Sequence, residues 1–347
     1  MTLDKALDFL RAYPKPVTIM EVCGSHTSVI VKSGIRQLLS PRIRLVSGPG
    51  CPVCVTSAAV VDTLVSCAKK ENHTVLCFGD LFRVPGSGGS LAEAKAGGPR
   101  GQGRVELIYS PLEALGFARR HPEITYVVAA VGFETTAPVY AVLLDDMIRT
   151  GIGNIRLVTA LKTMPQVMDY ICAGEGIDGF ICPGHVSVVT GLAPFETLCA
   201  KYHKPFVIAG FEPEHILAAI YEIARQIDAG APRAVNLYKG AVTGRPQAAA
   251  LALINRYFMA ADAVWRGIGT VAGSGLVLRS DYARFGIPVA ETDSAEDNGC
   301  RCRDVMLGRI LPCDCPLFGG ACTPDSPAGA CMVSAEGSCG IAYTQGE

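Results

Sequence analysis

Seven of the chain's fifteen cysteines fall between Cys300 and Cys339, in a stretch dense in Cys, Gly and Pro with no regular apolar pattern. Such a segment cannot bury an ordinary hydrophobic core, so a metal cluster or cross-links must hold it. The spacing is Cys300-x-Cys302 and Cys313-x-Cys315, then single cysteines at Cys322, Cys331 and Cys339, and no histidine follows His215. Thiolates are therefore the expected ligands of any metal there, apart from rarer carboxylate or backbone groups. The paired C-x₂₋₄-C knuckles of a structural zinc site are missing. Side chains at i and i+2 diverge, so one cysteine of each close pair can ligate while its neighbour does something else. Four-thiolate ligation of a [4Fe–4S] cluster, with cysteines left over, fits the count best; zinc, or disulfides alone, are the alternatives.

Context favours metal or redox chemistry over disulfide staples. The chain has 347 residues, of which 49% are hydrophobic and 18% charged, which implies a compact globular protein. With a formal net charge of -1 and no Lys/Arg run, nucleic acid is not an expected partner. The most apolar stretch, Val264 to Leu278, is interrupted by Arg266 and rich in Gly, so no membrane span is expected. Leu3, Ala6, Leu7 and Leu10 have helical spacing and do not suit a signal peptide, which points to a soluble, cytoplasmic protein. Cys67, Cys77, Cys172, Cys182 and Cys199 sit in apolar surroundings and read as buried small hydrophobes.

The first two-thirds of the chain alternates continuous β-branched runs with helical patterns. Strands are predicted at Val17–Val22, Ile43–Ser47, Thr74–Phe78, Val105–Tyr109, Tyr126–Val131, Ile155–Ala160, Gly179–Cys182 and Pro205–Ala209. Helices are predicted at Ser57–Lys70, Leu112–Arg120 and Val139–Arg149. Continuous apolar strands separated by helices are the pattern of parallel sheets covered on both faces. Leu45–Gly50 and Phe180–His185 both read as strand, then Pro-Gly turn, a hint of duplication for which chance is the rival explanation. The expected fold is α/β: two similar parallel-sheet domains at 15–138 and 139–240, and a small irregular Cys-rich iron–sulfur domain at 241–347, completed by residues 1–14. Within the last part, Pro246–Ala263 reads as an Ala-rich helix and Gly267–Leu278 as a Gly-rich apolar stretch.

Chemistry-bearing residues recur where predicted strands end, which is where open α/β sheets place their sites. Glu21–Thr27 offers the thiol of Cys23 and the imidazole of His26, a pair that could equally be a satisfied loop. Cys51-Pro52-Val53-Cys54 is stronger, because a C-P-x-C unit at a helix start is a redox dithiol arrangement; a zinc site would need two further ligands. Gly132–Pro138 brings Glu134 and two threonines, and Cys182–His185 brings His185. Asp80 and the Arg83–Ser87 loop add an acid and a base. Each alone is ordinary turn or capping chemistry, and their recurrence suggests a shared cleft.

Together these motifs resemble the HypD family of [NiFe]-hydrogenase maturation factors. The matching stretches are Glu21–Thr27, Gly48–Thr56, Arg83–Gly86, Gly132–Pro138, Pro183–Ser187 and Asn298-Gly299-Cys300-Arg301-Cys302 through Cys339, in order over nearly the whole chain. The resemblance implies a scaffold for building Fe(CN)₂CO, whose iron is held between Cys23 and a cysteine of the small partner HypC, with His26 close by. It implies that cyanide arrives from HypE, and that the hydrogenase large subunit is reached only indirectly. It gives Cys51 and Cys54 as a redox dithiol, and Cys300, Cys315, Cys322 and Cys339 as ligands of a [4Fe–4S] cluster. It gives Cys302 and Cys331 as a second dithiol or disulfide, and Glu134 and His185 as further site residues. The arrangement is similar to ferredoxin–thioredoxin reductase, where a cluster feeds a neighbouring disulfide. Cys313 has no counterpart in the family pattern and could replace Cys315 as a ligand, and Ser25 stands where Thr is common. A free-standing cluster-dependent disulfide reductase and a zinc-stabilised binding protein are the rival functions.

Overall fold

The computed structural model describes residues 3–97, 104–290 and 299–346. Thr292 and Asn298, which opened the expected Cys-rich segment, lie outside them. In chain order the strands are β1 (Val17–Glu21), β2 (Ile43–Ser47), β3 (His73–Cys77), β4 (Arg104–Leu107), β5 (Thr125–Gly132), β6 (Ile155–Lys162), β7 (Gly179–Cys182), β8 (Phe206–Ile208), β9 (Ala234–Asn236), β10 (Phe258–Trp265) and β11 (Gly269–Leu278).

Among the described residues these strands form a five-stranded sheet, β2-β1-β7-β8-β9, and a six-stranded sheet, β10-β11-β6-β5-β3-β4. The first is parallel throughout. In the second, β4, β3, β5 and β6 are parallel, and the β10–β11 hairpin adds to β6 antiparallel. Counting each sheet's own strands, the first has the order 2-1-3-4-5 of a doubly wound fold and the parallel part of the second repeats 2-1-3-4. The fold is therefore α/β with two parallel-dominated sheets and a Cys-rich C-terminal region, as the strand pattern implied. Continuous apolar runs form these strands because both faces are covered: every residue of β7 is buried, and all of β5 after Thr125.

Clustered by compactness, the chain forms two units, each assembled from separated stretches. One is Met1–Cys51, Pro165–Gln247 and Asp297–Glu347, and carries the first sheet; the other is Pro52–Met164 and Ala248–Glu296, and carries the second. The ranges expected at 15–138, 139–240 and 241–347 follow sequence order instead. In the first unit Ile19, Ile181 and Val207 of the sheet pack with Ile216 and Ile220 of helix Pro213–Ala229. Leu10 of the N-terminal helix Leu3–Arg11 joins this core, so that helix packs on the first sheet's covering layer. In the second unit Val128 and Leu157 pack with Tyr140 and Leu144 of helix Ala137–Thr150. No helix among the described residues is long and apolar enough to cross a membrane.

The hairpin corrects the reading of 246–278. The helix is only Ala248–Tyr257, and the alanines after it belong to β10. Small residues are needed there for cross-strand packing, since a Cβ on Gly275 would come within 2.8 Å of Ala263 Cβ. Gly273, at φ +62°, turns its N–H onto Asp262 Oδ1 at 2.9 Å beside the register shift between Ala261 and Ala263. Phe258, fully buried, anchors the hairpin in the second core. Phe258→Ala should cost about 3–5 kcal/mol. Urea unfolding should register that loss, and a cost near zero would mean the hairpin is not anchored through this ring.

Candidate functional site

In an open parallel sheet the crevice lies outside the carboxyl ends of the strands, where the strand order reverses. In the first sheet that point is between β1 and β7. Cys23 follows β1, Pro183-Gly184-His185 follows β7, Gly48–Cys51 follows β2 and Gly210-Phe211 follows β8, so these motifs reach one edge.

Cys23 is the N-cap of helix Gly24–Lys32, with extended φ −150° and ψ 119°. Its turn is tied to Glu21, whose Oε2 accepts the Cys23 N–H at 2.9 Å and whose Oε1 accepts the Thr27 hydroxyl. Glu21 is buried, and desolvation raises its pKa despite these donors. The Cys23 thiol is pushed up to about 12, first by burial and then by the Glu21 carboxylate, against the N–H groups of His26 and Ser25 that would favour a thiolate. The backbone leaves no slack: a Cβ on Gly50 would lie 2.4 Å from Cys23 N, and one on Gly24 would lie 2.4 Å from Glu336 O.

His26 is fully buried, and burial lowers its pKa to about 4. Its Nε2 lies 3.1 Å from Gly210 O. A carbonyl only accepts, so we assign the proton to Nε2 and the lone pair to Nδ1. That Nδ1 is buried without a hydrogen-bond partner. The His26 ring stacks on Phe211 at 4.9 Å between centroids, and the exposed His185 stacks on Phe211 at 4.1 Å.

The Cys-rich segment belongs to the same unit, and its last helix, Ser338–Gln345, packs on helix Gly24–Lys32. Cys300, Cys302, Cys315, Cys322, Cys331 and Cys339 line one pocket of about 290 Å³, open solvent at its mouth included. Val305, Phe318 and Met332 give it apolar walls. Gly329 leaves room for a thiol, since a Cβ there would stand 2.7 Å from Cys300 Sγ. Cys302 Sγ and Cys331 Sγ are in contact at 2.7 Å. Burial and the surrounding sulfurs of Cys302, Cys300, Cys322 and Cys315 push the Cys339 thiol well up. Cys313 is exposed and does not line the pocket, so Cys315 and not Cys313 faces the other thiols. Among the described residues no three His, Cys, Asp or Glu side chains draw together at the spacing of one metal ion; the thiols stand around the pocket instead. The donor set fits a thiolate-ligated cluster.

The described residues include all fifteen cysteines. Cys51 and Cys54 are the disulfide-bonded pair. Cys67, Cys77, Cys172, Cys182 and Cys199 are buried, as their surroundings implied.

In the second unit the corresponding edge carries Glu134, just past β5. Glu134 Oε1 accepts the Met164 N–H at 2.8 Å, while Oε2 is buried without a partner. Burial raises its pKa to about 7. Phe133 stacks on Trp265 at 5.9 Å, and Lys162, fully buried, donates to Val264 O at 2.7 Å beside the same indole. Arg266 donates from its backbone to Val55 O at 2.9 Å and from its guanidinium to Pro85 O at 2.8 Å, which ties the Cys54 and Arg83–Gly86 segments together. Motif reading missed Phe211, Lys162 and Trp265, and gave no role to Glu21 within its motif. Arg266 carried a signal, as the one charge inside the Val264–Leu278 apolar stretch.

The HypD family model, described as the hydrogenase formation hypA family, matches residues 2–346. A putative hydrogenase expression/formation protein of Methanocaldococcus jannaschii is 40% identical over 349 residues, covering 98% of this chain and 96% of that protein. The hydrogenase maturation factor HypD of Rhodobacter capsulatus is 40% identical over 342 residues, covering 95% and 89%. The factor of the same name from Escherichia coli K12 is 37% identical over 344 residues, covering 95% and 89%.

The raised Glu134 pKa sets a pH dependence. Below its ordinary value of 4.5 the carboxyl is protonated in folded and unfolded chains alike. As pH rises from there towards 7, only the unfolded chain ionises, so stability falls. At about 1.4 kcal/mol per pKa unit the loss reaches about 3 kcal/mol above pH 7. Glu134→Gln keeps the oxygen that accepts the Met164 N–H and removes the titration. Its stability relative to the parent should therefore climb between about pH 5 and about pH 8 in unfolding measurements. A difference that stays flat across that range would mean the carboxyl titrates normally.

Proposed function

The chain belongs to the HypD family, and from that premise we propose that it is a hydrogenase maturation factor: a cytoplasmic scaffold on which Fe(CN)₂CO is assembled with Cys23 as the chain's iron ligand. The observation that carries this reading is the Cys23 turn. It is a thiol at a switch-point edge, held by backbone contacts at a helix N-terminus and largely shielded from water. Iron carrying cyanide and CO suits soft thiolate ligands in a dry site. Ferrous iron is the cargo here and displaces the Cys23 proton. The N–H groups of Ser25 and His26, already aimed at the sulfur, then stabilise the bound thiolate. His26 offers a neutral imidazole lone pair three residues on, and Glu21 holds the turn in place.

Cys300, Cys315, Cys322 and Cys339 would hold a [4Fe–4S] cluster, which supplies electrons one at a time. The disulfide at Cys51/Cys54 and the touching thiols of Cys302 and Cys331 give the chain two dithiols for two-electron exchange. The proposed partners are HypC, which contributes the second iron-binding cysteine, and HypE, which brings cyanide.

Anaerobically purified protein should contain about four iron and four sulfide per chain. Cys23→Ala should keep that content yet fail to support hydrogenase maturation in cells, whereas Cys300→Ala should lose iron and sulfide together. A colourless protein carrying zinc alone would rule out the cluster. Turnover of a disulfide substrate by a chain that fails to capture HypC in a pull-down would instead favour a free-standing reductase.

A further inference from the structure

We propose that Phe211 is the positioning residue of the iron-binding edge, holding His26 in one ring orientation with its Nδ1 lone pair dry. This rests on the reading of Cys23 as iron ligand and assigns a role to a residue outside every motif read above.

One short turn after β8 makes both contacts that fix His26. The Gly210 carbonyl accepts the Nε2–H at 3.1 Å, and the next residue, Phe211, stacks on the ring with an interplanar angle of 30°. Phe211 is itself gripped. His185 stacks on it at 4.1 Å and 21°, and Tyr238 meets it edge-on at 5.9 Å and 87°. Gly184 makes the room, since a Cβ there would lie 2.9 Å from Phe211 Cζ. The surroundings thus determine where the Phe211 ring sits, and the ring determines what covers His26.

A buried polar atom without a partner is rare and calls for an explanation. His26 Nδ1 is such an atom on a ring that is fully buried. A ring free to turn could swap its two nitrogens, or swing Nδ1, whose lone pair lies in the ring plane, towards water. The Gly210 carbonyl opposes the swap, and the stacked face of Phe211 opposes the swing. The result is a lone pair ready for a metal with no water to displace, on the helix that Cys23 caps.

The test uses the anaerobically purified full chain and its Phe211→Ala, Phe211→Leu, Phe211→Tyr and Cys23→Ala variants. Diethyl pyrocarbonate followed by peptide mass mapping reads the exposure of each histidine. Isotopically labelled ferrous iron, read by Mössbauer spectroscopy, reports added iron apart from any the chain already carries. In the parent and Phe211→Tyr, His26 should stay unmodified while exposed His185 reacts, and both should retain labelled iron with one spectrum. Phe211→Leu, which fills space without stacking, and Phe211→Ala should lose the protection of His26 and the parent iron signal. Unchanged resident iron and sulfide would report an intact fold. Protection of His26 in Phe211→Leu equal to that of the parent, or a parent-like iron signal despite lost protection, would overturn the inference. Retention of the labelled iron by Cys23→Ala would overturn the iron-ligand reading instead and leave the shielding result to stand on its own.

Discussion

The carboxyl edge of the first sheet depends on how closely three stretches of backbone meet at Cys23. Gly50 passes so near that a single added carbon would lie 2.4 Å from the Cys23 nitrogen, and Gly24 is equally close to the Glu336 carbonyl. Flexible side chains could yield to such a clash, but backbone atoms of a sheet edge and a helix start cannot do so cheaply. The position of the sulfur is therefore set by main chain from the β1 turn, the β2 turn and the Cys-rich segment together. Glu21 completes the arrangement from below by accepting the Cys23 N–H. A thiol fixed in this way needs little ordering on binding, and that favours capture of a small cargo.

Burial imposes a common direction on the ionisable groups of both edges. Cys23 and Glu21 are pushed up and His26 is pushed down in the first unit, and Glu134 is pushed up in the second. Each shift favours the neutral form, because a charge without water or a partner is costly. Polar groups kept neutral in dry surroundings are poised to respond when a cation or a proton arrives. A cation at Cys23 would repay the desolvation of the thiolate, as metal binding commonly does when it displaces a ligand proton.

The sequence revealed the site more clearly than the architecture. A dense cysteine run without a core pattern implied a thiol-lined centre, and six of its seven cysteines do line one pocket, while Cys313 stays exposed. Apolar runs located most of the parallel strands, because strands buried on both faces carry no competing signal. The β10–β11 hairpin was not legible: alanines suit a helix by propensity, and only cross-strand crowding at Gly275 explains their place in a strand. The interleaving of the two units was equally hidden, since it depends on which strands pair and not on local pattern. Glu21 lies inside a recognised motif, yet its hydrogen bond to Cys23 exists only once the turn is built. Phe211 reads as an ordinary apolar residue until the sheet brings His26 and His185 to it.

The two dithiols differ in what holds their sulfurs together. Cys51 and Cys54 are near neighbours in the chain, so the turn alone can pair them. Cys302 and Cys331 are 29 residues apart, and their contact depends on the folding of the irregular segment between them. Glycine again sets that folding, since a Cβ on Gly337 would come 2.2 Å from the Cys331 carbonyl and one on Gly329 would crowd Cys300 Sγ. The segment buries apolar residues of its own, Val305 and Met306 among them, which helps to oppose the entropy of opening. The far thiols also share one pocket with Cys300, Cys315, Cys322 and Cys339. Filling that pocket would stabilise the segment and the Cys302/Cys331 pair together, which couples the redox state of a dithiol to the integrity of its neighbour by geometry alone.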